Sequence, residues 1–174
     1  MASIGHMALG MAAARFYSGR VEPSVRPGRA MLLLAALSMV PDLDVIGFFI
    51  GVEYEDPLGH RGFTHSIVFS LICAVIALAF AKPLKLKPVP LAVLIFLVQL
   101  QHPLLDMLTN GGLGCALFFP SNERYFFPIT PIPVAPIGLA FLSKTGLLVM
   151  AVEAFMFAPF FLYATWPRKP KPAV

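Results

Sequence analysis

His102-Pro103-Leu104-Leu105-Asp106 stands near the end of the apolar run Val89 to Leu108, and its reading decides what kind of chain this is. A run of that length crosses the ~30 Å hydrocarbon core of a bilayer as one helix. Ionisable groups at membrane depth are expensive and mark a functional site by default. The i, i+4 spacing puts His102 and Asp106 on one helical face, within reach of a single ion. Pro103 bends or starts the local helix and so helps to aim them. The competing reading is a helix-terminal histidine hydrogen-bonded to a carboxylate.

Working outward, the same pattern recurs. His6 lies in a small-residue apolar stretch, Pro41-Asp42-Leu43-Asp44 interrupts a second, and His60-Arg61-Gly62-Phe63-Thr64-His65-Ser66 opens a third. All four histidines of the chain therefore sit in polar islands of a membrane-grade sequence. Of its 174 residues, 58% are apolar and only 13% charged, which suits a bundle of spans better than a soluble globule. The net charge of +4 is concentrated at Arg15 to Arg29, Lys82 to Lys87 and Arg168 to Lys171. No basic run carries interleaved aromatics, so the charge follows the positive-inside rule and nucleic acid is excluded as a partner. Cys73 and Cys115 belong to different depths and read as small buried hydrophobes, not as a disulfide. Met1 to Ala14 holds no Lys or Arg, while Arg15 and Arg20 follow it. That charge order is the reverse of a cleavable signal and points the N-terminus outward.

The expected architecture is all-α and polytopic, a single membrane-embedded domain over 1–174. It has four spans and a short N-terminal membrane helix, Ala2 to Tyr17. The spans are Ala30 to Val52, broken or kinked at Pro41, Phe63 to Ala81, Val89 to Leu108, and Ile137 to Trp166. Residues 113–136 form an irregular loop rich in proline and aromatics, suited to the bilayer interface. Oligomeric state is not legible. With the basic clusters in the cytoplasm, the acidic loop around Glu55 and the 113–136 loop fall outside. At ~1.5 Å per helical residue, His65 then lies ~25 Å from Lys82, His102 ~22 Å from Lys87, Asp42 ~20 Å from Arg29, and Glu153 ~22 Å from Arg168. His6, counted the same way, lies ~13 Å from Arg15 or up to ~21 Å from Arg20. Separate segments thus converge on one layer in the outer half of the bilayer.

His and Asp are the side chains that zinc or manganese takes. The candidate ligands are His6, Asp42, Asp44, His60, His65, His102, Asp106 and Glu153. Asp42 and Asp44 are alternatively a helix cap and its neighbour, and either serves as base. Thr64 is the expected cap of the helix that Ser66 enters. Arg61 fits an anionic substrate or developing phosphoryl charge, or else an ion pair with Asp56. Glu153, the one acid of the last span, is a ligand, a partner of a histidine, or a neutral buried acid. Asn110, Arg124 and Tyr125 follow the His102 motif on the outer side, where they face a polar head group. Asn110 equally suits the turn before Gly111-Gly112.

Taken together, His6, Pro41-Asp-x-Asp44, His60-Arg-Gly-x-Thr-His-Ser66, His102-x-x-x-Asp106 and Thr109-Asn-Gly-Gly112 resemble the YdjM-type family of bacterial inner-membrane metal-dependent hydrolases. That family looks distantly related to zinc-dependent phospholipase C and the zinc-dependent single-strand nucleases. The resemblance implies a phospholipase C-like helical core and a metal held by His6, one of Asp42 and Asp44, His65, His102 and Asp106. The His-x-x-x-Glu pair of the soluble relatives is incomplete here, because Val149 stands four residues before Glu153. One or two ions are expected, not three. The expected function is hydrolysis of a lipid phosphate ester at the outer leaflet of the bacterial cytoplasmic membrane, with Asp42 or Asp44 as base and Arg61 on the substrate. The alternatives are a metal-binding transporter, or a hydrolase of a lipid amide or carboxyl ester.

Overall fold

The computed structural model describes residues 3–136 and 138–167. Among them there are helices, two isolated β-bridges and no strand. The basic cluster from Arg168 to Lys171 lies outside the described residues, as does Ile137.

Helix α1 (Ser3–Phe16) runs into a π-helical turn, Tyr17–Val21. Helix α2 (Pro27–Leu37) starts on Pro27, whose fixed φ suits a first turn. It stops at Leu37, and the chain continues as a 3-10 helix, Val40–Ile50, with Pro41 in its first turn. The expected break at Pro41 is therefore real. Neither Asp42 nor Asp44 caps this segment, whose N-cap is Met39 without a side-chain bond. Both carboxylates face histidines instead.

Helix α3 (Ile67–Ala81) is capped by Ser66, whose hydroxyl accepts from the Phe69 N–H at 3.1 Å. The cap is two residues later than the expected Thr64, whose hydroxyl donates to Asp44 instead. Helix α4 (Pro88–Asp106) also begins on a proline. Its buried stripe of Leu91, Ile95, Val98, His102 and Asp106 follows helical spacing, and Val89, Val93 and Leu97 face outward. Helix α5 (Lys144–Met156) is capped by Ser143. It meets α6 (Ala158–Thr165) at a 60° bend beside Pro159, which has no N–H to continue the ladder.

The packing is inside-out. Phe49, Phe155 and Leu139 are 83–91% exposed, whereas His6, His65, His102, Asp106 and Glu153 are each 0% exposed. A bilayer is the solvent that stabilises such a surface. At the basic end α1, α2 and α4 pack around an apolar core of Ala14, Ala30, Leu34, Leu91, Ile95 and Val98. Helix α1 sits against α2 so closely that a Cβ on Gly10 would lie 2.5 Å from the Leu34 carbonyl oxygen.

Among the described residues, two to three of the expected four spans meet the length and apolarity of a crossing helix. Pro27–Ile50 and Pro88–Asp106 are long and apolar enough to cross, and the bent α5–α6 pair makes a third if it counts as one span. Helix α3 has only 15 residues, ~22 Å against a ~30 Å core. The stretch before it, counted as span in the sequence, is taken up by the turn that carries His60, Arg61 and His65.

Candidate metal centre

The end of α4, the 3-10 segment after α2 and the turn before α3 meet at one polar point. His65 Nε2 lies 3.6 Å from Asp42 Oδ1 and 3.3 Å from Asp106 Oδ2, and His102 Nε2 lies 3.2 Å and 3.9 Å from the same two oxygens. All four donor atoms lie within 4.8 Å of one another. Four donors bound at about 2.1 Å around a tetrahedral ion sit about 3.4 Å apart. The observed separations bracket that value.

The hydrogen bonds around the rings decide which nitrogen faces inward. His102 Nδ1 lies 2.7 Å from the Ser38 carbonyl oxygen. A carbonyl only accepts, so Nδ1 carries the hydrogen and Nε2 the lone pair. His65 Nδ1 lies 3.0 Å from Thr64 Oγ1 and 3.1 Å from Asp44 Oδ2. Thr64 donates its own hydrogen to Asp44 at 2.7 Å, so both neighbours of Nδ1 are acceptors. Nε2 of each ring is thus left with a lone pair toward two carboxylates, and neither has a hydrogen-bond partner among the described residues. Metal-bound histidines are oriented by outer acceptors in this way. Asp42, Asp44 and Asp106 stand against one guanidinium, Arg61. The remaining two negative charges match a divalent cation. On donor type, spacing and charge, the residues fit a metal.

The other candidates occupy different stations. Asp44 is engaged by four donors: His60 Nδ1 at 2.7 Å, the Arg61 N–H at 3.1 Å, Thr64 and His65. Asp44, His60 and His65 form a second close group of possible ligands. His6 stacks on the His102 ring at 3.5 Å with its Nε2 3.4 Å from Asp106 Oδ1, on the side of that carboxylate away from His65. Glu153 belongs to neither group and accepts from the Gly5 N–H at 3.2 Å, at the N-terminal end of α1 where backbone donors lack partners.

Arg61 is 1% exposed, and its Nε lies 3.3 Å from Asp106 Oδ2. Its other nitrogens donate to Gly111 O at 3.1 Å and Thr109 Oγ1 at 3.2 Å. The ion pair expected with Asp56 is made with Asp106. Burial works to neutralise this guanidinium, but the carboxylate beside it outweighs burial and raises its pKa above the ordinary value. Its backbone is left-handed, φ 64°, a strain of about 1–2 kcal/mol for a residue with a Cβ. Hydrogen bonds from its N–H to Asp44 and from Ala116 to its carbonyl hold it there.

A cavity of about 470 Å³ opens onto this cluster, lined by Asp42, His60, Arg61, Tyr54 and Gly112 on one wall and Val134, Ala135 and Phe141 on the other. Asn110, Arg124 and Tyr125 do not line it. Asn110 accepts from the Val134 N–H, Tyr125 bonds Glu123, and Arg124 clamps the carbonyls of Tyr54, Asp56 and His60. They shape the loop that forms the wall. Sequence reasoning missed Ser38 and Tyr54. Ser38 acts through its carbonyl, which every residue owns, so no signal existed. Tyr54 stood in the acidic loop and was detectable as an aromatic beside charged residues.

An inside-out helical fold with a histidine–aspartate cluster in its interior defines a membrane protein with a candidate metal site. The chain belongs to the YdjM inner membrane protein family, whose model matches residues 1–169. It is similar to inner membrane protein YbcI of Escherichia coli (strain K12), with 36% identity over 118 residues that cover 67% of this chain and 68% of that protein. No solved structure matches the chain. The family and the inner-membrane location expected from the motifs are thereby borne out.

Proposed function

We propose that this protein is a membrane-embedded, metal-dependent hydrolase of a lipid phosphate ester, with its cavity facing the extracytoplasmic side. The observation that carries the reading is the convergence of His65 Nε2, His102 Nε2, Asp42 and Asp106 at ligand spacing behind a cavity that Asp42 lines. Those four residues would hold the ion, with His6 on the outer oxygen of Asp106. A bound divalent cation supplies a water of lowered pKa and a Lewis acid for a phosphoryl oxygen.

The chain's own residues do the rest. Asp42 is the open member of the cluster, its side chain 22% exposed against 0% for His65, His102 and Asp106. It is placed to take a proton from water in the cavity. Asp44 holds His65 and His60 in orientation. Arg61, locked by Thr109, Gly111 and Asp106, keeps a fixed positive charge at the cavity wall. Its burial makes it an electrostatic element of that wall, with its nitrogens already committed to protein. The apolar wall of Val134, Ala135 and Phe141 suits an acyl chain, and the volume lies in the ~300–1,000 Å³ range of ligand pockets. A transport path is less well supported, because the side chains that line the cavity at the basic end include no histidine, aspartate or glutamate to pass a cation on.

The test is purified protein loaded with zinc or manganese and given vesicles of phosphatidic acid or phosphatidylglycerol. Release of phosphate or of diacylglycerol is expected, and its loss in Asp42→Asn and His102→Ala. Fatty acid release instead would move the bond to a carboxyl ester or amide. Metal uptake into sealed vesicles without any lipid cleavage would replace the hydrolase with the transporter.

A further inference from the structure

A second cavity, of about 570 Å³, lies at the opposite, basic end of the bundle. Leu34, Leu91 and Ile95 make its apolar walls, and Arg26 and Arg29 stand at its rim. Both arginines are exposed, and neither makes an ion pair among the described residues. Tyr17 lines the same cleft. It is 4% exposed, and its hydroxyl has no hydrogen-bond partner among the described residues. A buried hydroxyl without a partner is costly unless a ligand supplies one. Helices α2 and α4 both begin at this end, on Pro27 and Pro88, with no side-chain cap on either. Their first N–H groups and positive dipole ends therefore favour an anion there. The single acid on the turn, Glu22, is already hydrogen-bonded by Ser24 at 2.8 Å, and Lys87 ties the two loops together through the Val21 carbonyl.

We propose that this cleft binds one anionic phospholipid of the leaflet on the basic side, as a site separate from the His–Asp cluster. An acyl chain lies along Leu34, Leu91 and Ile95, the Tyr17 hydroxyl donates to a glycerol-ester oxygen, and the phosphate meets Arg26, Arg29 and the uncapped start of α2. Apolar depth with a basic rim distinguishes this ligand from a free phosphate or from a neutral lipid.

Brominated-lipid quenching tests it. Leu33 lines the cleft and is 69% exposed, so Leu33→Trp in a Trp166→Phe background places one fluorophore at the site. The protein is reconstituted in vesicles of unlabelled phosphatidylcholine containing either dibromo-phosphatidylglycerol or dibromo-phosphatidylcholine at equal mole fraction. The expected result is preferential quenching by the phosphatidylglycerol, about fivefold per arginine, and its loss in Arg26→Gln/Arg29→Gln. A reference Trp at Val93, on the lipid-facing side of α4 and outside the cleft, shows little preference. Equal quenching by the two lipids overturns the proposal. So does an equal preference at Val93→Trp, which is general attraction of anionic lipid, and so does a cleft tryptophan that no lipid quenches, which means a protein surface covers it. The comparison of the two tryptophan positions needs no arginine variant, so it decides the matter even if the double variant does not fold.

Discussion

Asp44→Asn separates a residue that orients a ligand from a residue that binds the ion. Asp44 receives four donors, His60 on one oxygen and the Arg61 N–H, Thr64 and His65 on the other. An asparagine keeps one acceptor. Turned the favourable way, its oxygen retains the three donors from Arg61, Thr64 and His65, and its NH2 faces His60 Nδ1, which accepts in its other tautomer. What is lost is the charge on the acceptor. Hydrogen bonds to a charged group are worth about 1.5–3 kcal/mol and neutral ones about 0.5–1.5 kcal/mol, so the hold on His65 weakens by about 1 kcal/mol. Outer partners of metal ligands typically contribute ~10–100-fold in affinity. The conservative change should sit at the low end, about tenfold, and Asp44→Ala, which removes every acceptor, near the high end. His102→Ala removes a donor of the cluster and should abolish binding under the same conditions. Competition for zinc against a chromophoric chelator, on the detergent-solubilised protein, measures all three. If Asp44→Asn abolishes binding as completely as His102→Ala, Asp44 is a ligand and the assignment of roles collapses. An unchanged affinity refutes the orienting role.

Three further outcomes follow from the geometry. Gly112→Ala should lower the thermal stability of the protein by the equivalent of about 1–3 kcal/mol. Gly112 has φ +83°, and a Cβ there would meet Arg61 Nη1 at 2.7 Å and the Tyr54 hydroxyl at 2.9 Å; an unshifted unfolding transition counts against that packing. Cys115 is fully buried, and burial pushes its thiol up to about 12, so native protein at neutral pH should resist a maleimide there until it is unfolded. Rapid labelling at Cys115 would mean the loop around it opens. Glu55 is exposed in the acidic loop, so Glu55→Cys should react with an impermeant reagent applied to whole cells from outside. Protection there, with reactivity only in inverted membranes, would reverse the proposed sidedness.

Much of this protein was legible in its residues. Histidine and aspartate in apolar runs must be compensated, and counting from the basic loops brought His65, His102, Asp42 and Asp106 to one depth before any contact was known. Tertiary structure then put those four together at ligand spacing. The break at Pro41 and the irregular 113–136 loop were equally readable, because proline removes a backbone donor wherever it stands. The length of α3 was not. Phe63 to Ser66 reads as the start of a span, but Phe63–His65 is a 3-10 turn whose Thr64 is bonded to Asp44, and the helix begins only at Ile67.

Sequence by itself determined the solvent and the chemistry: apolar residues at span length demand a bilayer, and buried imidazoles and carboxylates demand a cation or each other. Tertiary structure alone decided where each of these side chains stands. Asp42 and Asp44 are two residues apart and chemically identical, yet one faces the cavity and the other anchors four residues in the turn before α3. The guanidinium of Arg61 meets Asp106, Thr109 and Gly111, and Glu153 stands outside both histidine–aspartate groups and accepts from the Gly5 N–H. The physical reason is that burial follows the period of one helix, whereas the direction of a lone pair is set by donors and acceptors that other segments bring to it.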